Sequence, residues 1–300
     1  MTYLYAFNAE PDGIGVIADT RITFIDTLGQ LRIDPDQVVK VYPLGRRAFV
    51  GIAGTVGHVA SILNGLEHVL RSASDSRWYD LFVQHCETRL EACHTDGTFS
   101  VERPPEVQLI YGDIRHKRGA TRCRLIRVEP AMVQGSLKMI RKTATEGQYL
   151  AIGWSPDGRR QLNAVASEAL AEVESRGLEI SGLCAQEMRQ LGHHTPDAQG
   201  FKADSSGPRI GNFRPQLRKY AAKTFLRNST VLAVEPVLMY CAIAQAAIEA
   251  KVDELRSIDA EDIETVGDQW TPASLTLRHG FRAFNNGELA ALTPLIKALS

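Results

Sequence analysis

A threonine is the second residue of the chain, and the residue types that would make it a nucleophile follow at intervals. A small residue after Met1 lets methionine aminopeptidase remove the initiator, so Thr2 is expected to carry a free α-amine beside its own hydroxyl. One residue would then supply both the attacking oxygen and the proton acceptor. That amine has an ordinary pKa of ~8, so a fraction of it is neutral in the cell. A cation near Oγ favours the alkoxide and, by like-charge repulsion, keeps the amine neutral. Lys40, in Val39-Lys40-Val41-Tyr42-Pro43-Leu44, is the candidate cation, and Asp19, in Ala18-Asp19-Thr20-Arg21, is the partner expected to hold it charged. Gly54 closes Val50-Gly51-Ile52-Ala53-Gly54 where a strand gives way to a helix. Backbone N–H groups at such a junction lack partners and can receive the oxyanion of a tetrahedral intermediate. Attack on a peptide carbonyl would leave an acyl-threonine ester for water to release. Arg21, Thr55 and His58 are the candidates to line a substrate pocket beside it.

Taken singly, each residue has an ordinary reading. Many chains begin Met-Thr, Asp19 and Arg21 can form a surface ion pair, Lys40 can be a solvated strand residue, and Gly54 can simply cap a junction. Their order along one chain favours the catalytic set.

The elements that would position them are legible from periodicity. Residues 2–9 alternate as a strand, Pro11-Asp12-Gly13 turns, and Ile14 to Thr20 returns. Ile22 to Asp36 is mixed, with a turn at Leu28-Gly29. Val38 to Tyr42 and Ala48 to Ile52 are two further strands, with Asp19 and Lys40 expected on neighbouring strands. Gly54 to Leu70 and Trp78 to Cys93 carry helical apolar spacing. Strands are expected at Val107 to Gly112, Cys123 to Val128, Ser136 to Ile140 and Gly147 to Ile152, then a helix over Gln161 to Ser175. A long helix spans Val231 to Leu255, interrupted near Pro236. A last strand pair is expected at Ala273 to Leu277 and Leu289 to Leu292, around Asn285-Asn286-Gly287. Residues 192–219 have loop composition. Strands, helices, strands, helices and strands in that order pack most economically as an α+β sandwich, two sheets with helices on their outer faces.

Composition sets the outer limits. Hydrophobic content of 44% and charged content of 23% fit a globular protein rather than a disordered one. A net charge of -1 gives no general drive toward nucleic acid or anionic membrane. No apolar run approaches the ~20 residues of a transmembrane helix, and the N-terminus lacks a signal-peptide pattern, so a cytoplasmic location is expected. The five cysteines, without a CxxC, read as small hydrophobes in a reducing compartment. His85-Cys86 and Cys93-His94 lack a second ligand pair at zinc spacing, and neither metal nor cofactor is expected.

With these segments in place, the chain resembles the proteasome β-subunit family, which includes the bacterial HslV peptidases and their bacterial relatives. Thr2 matches the family's N-terminal threonine, Asp19 its acidic residue, Arg21 the basic residue two further on, and Lys40 its catalytic lysine. Gly51-Ile52-Ala53-Gly54 matches its Gly-x-Ala-Gly, Val107-Gln108-Leu109 its Val-Gln-Leu strand, and Ala151-Ile152-Gly153-Trp154-Ser155 the segment carrying an assisting serine. The resemblance covers residues 2 to about 175. It implies the N-terminal-nucleophile (Ntn) hydrolase fold, a four-layer αββα sandwich of two antiparallel sheets, as one domain over 2–300 with an insertion at about 178–230. It also implies a threonine-type peptidase with Ser155 assisting Thr2, acting on peptides or unfolded protein inside a homo-oligomeric ring. An ATPase unfoldase is a further possible partner on the same ground. The chain departs from the family where Trp154-Ser155 replaces Ser-Gly. The family's Asp followed by Ser-Gly is not assigned: Asp204-Ser205-Ser206-Gly207 stands too early, and Asp268 lacks the Ser-Gly. These departures favour one alternative, a catalytically inactive structural subunit; an Ntn amidase acting on a small molecule is another, which a monomeric or dimeric state would support.

Overall fold

The computed structural model describes residues 3–9, 13–25, 31–34, 39–100, 102, 105–117, 120–144, 148–153, 165, 167, 171, 236–258, 266–267, 269–277 and 279–284. It is mixed α and β, with two five-stranded antiparallel sheets.

The first sheet contains β1 (Tyr3–Ala9), β2 (Gly13–Asp19), β10 (Tyr149–Gly153), β11 (Trp270–Thr276) and β12 (Gly280–Ala283), in the order β10-β1-β2-β11-β12. Its two leading strands are buried along their whole length. Interior strands covered on both faces read as apolar throughout rather than alternating with polar residues. Leu4, Ala6, Val16 and Ala18 face one core. On the other side Tyr3 meets Trp270 edge-on at 5.9 Å, and Tyr5 lies 5.6 Å from Tyr149.

The second sheet runs β5 (Val41–Leu44), β6 (Ala48–Gly54), β7 (Val107–Lys117), β8 (Ala120–Val133) and β9 (Ser136–Ala144) in sequence order. Its residues divide between two cores by strand parity. Phe49, Ala53, Ile110 and Leu125 join Leu4, Val16 and Ile152 of the first sheet. Val50, Leu109, Tyr111 and Val128 pack against Ile62, Leu70, Phe82 and Leu90. Those last four belong to α1 (Val56–Leu63), α2 (Leu66–Arg71) and α3 (Trp78–Thr95). The helix α4 (Pro236–Ser257) contacts β2 and β11 of the first sheet, where Cys241 Sγ donates to Ala273 O.

Several expectations are corrected. The helix expected over Gly54 to Leu70 is two helices, because Gly65 adopts φ +80, a left-handed conformation glycine accepts at little cost. Apolar spacing continues across the break because Leu66 and Leu70 reach the same core as Val59 and Ile62. Ile22 to Asp36 contains a separate two-stranded sheet, β3 (Ile22–Ile25) with β4 (Leu31–Asp34). The long helix is described over Pro236–Ser257, and the part expected from Val231 to the interruption near Pro236 lies outside the described residues. The partner of β11 is β12, reached through 277–279, ahead of the expected Asn285-Asn286-Gly287 turn. The 289–292 strand, the loop at 192–219 and the insertion at 178–230 lie outside the described residues.

Among the described residues, no helix is long and apolar enough to cross a membrane, and no group of three His, Cys, Asp or Glu side chains could hold a metal.

Candidate active site

Asp19 ends β2, and Lys40 immediately precedes β5. They belong to different sheets, not to neighbouring strands as expected, and they meet where the two sheets end together. Lys40 Nζ donates to Asp19 Oδ1 at 2.8 Å and to the carbonyl of Arg21 at 2.6 Å. Asp19 is fully buried, and Lys40 is 5% exposed. Burial pushes the Lys40 pKa below its ordinary value, the Asp19 carboxylate opposes that, and the Arg21 charge adds to it. Asp19 is what lets a charged lysine persist here.

The same carboxylate binds two backbone amides. Oδ1 also accepts the Tyr3 N–H at 2.8 Å, and Oδ2 accepts the Gly267 N–H at 3.0 Å. A carboxylate served by three donors is well compensated for its burial. The Tyr3 bond fixes the amide that joins Tyr3 to Thr2. The Gly267 bond draws in the segment ahead of β11, which Thr20 secures through its own N–H to Gln269 O at 3.0 Å.

Gly54 closes the last rung of the β6–β7 ladder opposite Val107. Its φ is +115, and a Cβ there would collide with the Glu106 carbonyl, so the position requires glycine. Ile52 N–H donates to Lys40 O on one side of β6, and Thr55 N–H donates to Glu106 O on the other. Alternation in an antiparallel ladder turns the Gly54 N–H toward the Lys40 side.

Thr55 and His58 stand on the same corner but are tied to Glu106. Thr55 Oγ1 donates to Glu106 Oε2 at 2.9 Å, and Glu106 N–H donates to His58 Nδ1 at 3.2 Å. Arg21 is half-buried and contributes its carbonyl to Lys40. Thus Asp19, Lys40 and Arg21 converge, and Gly54, Thr55 and His58 gather at the adjoining end of β6. Thr2, Ser155 and Asp268 lie outside the described residues.

Three participants escape a reading of the sequence. The Tyr3 and Gly267 amides are backbone groups, which no residue type announces. Gln108 is the third: its Oε1 accepts the Gly153 N–H at 2.8 Å, linking β7 to β10 across the two sheets. A lone amide side chain in an apolar run, Val107-Gln108-Leu109-Ile110, was the signal available for it.

No protein-family model matches the chain, and no curated protein matches it. Among solved structures it is similar to an Anbu (Gly-1) mutant from Hyphomicrobium sp. strain MC1, at 16% identity and a TM-score of 0.45, over 99% of this chain and 96% of that chain. At that level the likeness decides neither fold nor activity.

Proposed function

We infer that the chain is an N-terminal-nucleophile hydrolase that cleaves peptide bonds through Thr2. The observation that carries the reading is the buried Lys40–Asp19 pair bonded to the Tyr3 amide, one residue from the proposed nucleophile. An ammonium has three donors, and two are engaged by Asp19 and Arg21. The third is assigned to Thr2 Oγ.

With Met1 removed, the Thr2 amine takes the hydroxyl proton, directly or through a water, and Oγ attacks the substrate carbonyl. The Gly54 N–H stabilises the oxyanion. The C–N bond then breaks, the amine product leaves with the proton, and an ester remains on Oγ. Water adds to that ester and restores the threonine. Ser155 assists the nucleophile in this scheme, and Arg21, Thr55 and His58 border the substrate. The two sheets and their helices are read as a four-layer αββα sandwich, one domain over 2–300, assembling into a homo-oligomeric ring in the cytoplasm. Helices that pack on each sheet's far side support the layering.

The inactive-subunit reading gains nothing from this geometry. A buried charge pair is seldom worth more to stability than apolar residues of the same size, whereas a functional site has use for one. Intact mass with and without an epoxyketone or β-lactone probe tests the proposal. The expected result is loss of Met1 and one probe on Thr2, with Thr2→Ala assembled but inactive. Lys40→Ala should lose nearly as much turnover, since removing a cation at the reacting oxygen raises the barrier by several kcal/mol. Retained Met1 in active protein, or full activity in either variant, overturns it.

A further inference from the structure

A cavity of about 160 Å³ opens at the far end of the β6–β7 ladder from Gly54, where Ala48 faces Asp113. We propose that it binds a small organic monocarboxylate. The two ends of β6 stand roughly 20 Å apart, so this is a second site and does not rest on the Thr2 reading.

Arg47, Asp75, Ser76, Trp78, Asp113 and Arg115 line it. Asp113 is 4% exposed and already has its partners. The Tyr111 hydroxyl donates to it at 2.9 Å, Arg124 donates to both of its oxygens at 3.3 and 2.5 Å, and Arg115 Nη2 donates to it at 3.2 Å. One cation balances that carboxylate, and Arg124 makes the two-point contact. Arg115 is thus a surplus charge. Its Nε is buried and has no hydrogen-bond partner among the described residues. A guanidinium donor held away from water calls for an anionic acceptor, and a carboxylate matches its planar fork.

The local charges fix the valence of the ligand. Arg47, Arg115 and Arg124 stand against Asp75 and Asp113, which leaves one positive charge to be matched. Trp78 fixes the ligand's body. Its indole N–H donates to Ala73 O at 3.2 Å, and its ring fills the space a side chain at Gly45 would need, 2.5 Å from that Cβ position. A ring so held offers a flat apolar wall. Cavities of about 150 Å³ take up benzene, so a single ring bearing a carboxylate fits here.

The test titrates the intact protein with benzoate, benzamide and benzamidine, read by tryptophan fluorescence. Benzoate should give a saturable change. Benzamide, which lacks the charge, should bind about tenfold or more weakly, and benzamidine should not bind. Trp78→Phe should remove the response. Arg115→Gln should weaken benzoate binding about ten- to hundredfold. Arg47→Gln removes an exposed cation and should weaken it about two- to fivefold, less so at high salt. Arg115→Lys keeps the charge without the fork and should fall between wild type and Arg115→Gln. No saturable response to benzoate, equal affinity for benzamide, a response that survives Trp78→Phe, or benzoate affinity unchanged in both Arg115→Gln and Arg47→Gln overturns the proposal. Where Arg115→Gln does not yield folded protein, Arg47→Gln and the benzamide comparison decide it. None of these results bears on Thr2.

Discussion

Replacing Asp19 with asparagine isolates the electrostatic core of the site. Lys40 Nζ lies 2.8 Å from Asp19 Oδ1, with both side chains out of water. Removing one member of such a pair costs about 3–5 kcal/mol, because the remaining charge is buried without compensation. With a urea slope of about 3 kcal/mol/M, the unfolding midpoint should fall by about 1–1.7 M near pH 7. The deficit should also depend on pH in a definite direction. Burial lowers the pKa of Lys40 in the folded chain, and in the unfolded chain it returns to ~10.4. Between those values the unfolded chain binds the additional proton, so the Lys40 contribution to stability rises with pH. In Asp19→Asn the burial effect is unopposed, and the window extends to lower pH. The mutant's deficit should therefore be largest near neutrality and narrow toward pH 10. Adding Lys40→Met should restore part of the loss, since coupling within a contacting pair reaches about 0.5–3 kcal/mol. A deficit equal at pH 7 and pH 10, or a double mutant as unstable as the two single losses combined, would falsify the view that Asp19 exists to hold Lys40 charged.

Gly54→Ala should lose at least about 1–3 kcal/mol, because φ +115 is unfavourable for alanine and its Cβ meets the Glu106 carbonyl; a urea midpoint unchanged within error would mean the junction relaxes freely. Burial pushes the Cys86 thiol up to about 12, so a disulfide reagent at pH 8 should leave it unmodified until the chain unfolds, and rapid reaction in the native state would contradict its burial. Burial and the Arg89 charge lower the His85 pKa. The unfolded chain then takes up that proton first on acidification, so stability should fall as pH drops from ~6.5 toward the lowered value. His85→Gln should flatten that slope in urea titrations across pH 5–7, and an unaltered slope would remove His85 as its source.

Much of the fold was legible because its signals are local. The strands β1, β2, β5 and β6 carry apolar runs bounded by Pro11-Asp12-Gly13 and Gly45-Arg46-Arg47. The strands β7 to β9 run longer than their apolar stretches suggest. Past Gly112 the ladder continues through charged residues, and Asp113 there binds Arg115 at 3.2 Å, Arg124 at 2.5 Å and the Tyr111 hydroxyl at 2.9 Å. Arg124 also lies 3.6 Å from the Tyr79 ring centre. Arg115 and Tyr111 stand two residues either side of Asp113 on β7, but Arg124 comes from β8 and Tyr79 from α3, so periodicity within one segment could not reveal those two. The β3–β4 hairpin was missed for the opposite reason: two four-residue strands are too short for alternation to stand out.

The site divides along the same line. Asp19 and Lys40 could be named as partners because opposite charges in otherwise apolar strands need each other. Where they meet could not be read, because the contact closes between two sheets. The backbone donors at Tyr3 and Gly267 were beyond reach, since an amide belongs to every residue. Yet these donors give the charge pair its meaning. A buried lysine–aspartate pair needs further donors and acceptors to offset its desolvation, and an apolar pair would serve the core as well. Here the carboxylate is shared among a lysine, the amide following Thr2 and the amide of Gly267. It fixes the start of β1 and the approach to β11 around one cation. That arrangement uses one buried carboxylate to hold the Tyr3 end of β1 in register with Lys40, a tie between the two sheets that an apolar pair could not make.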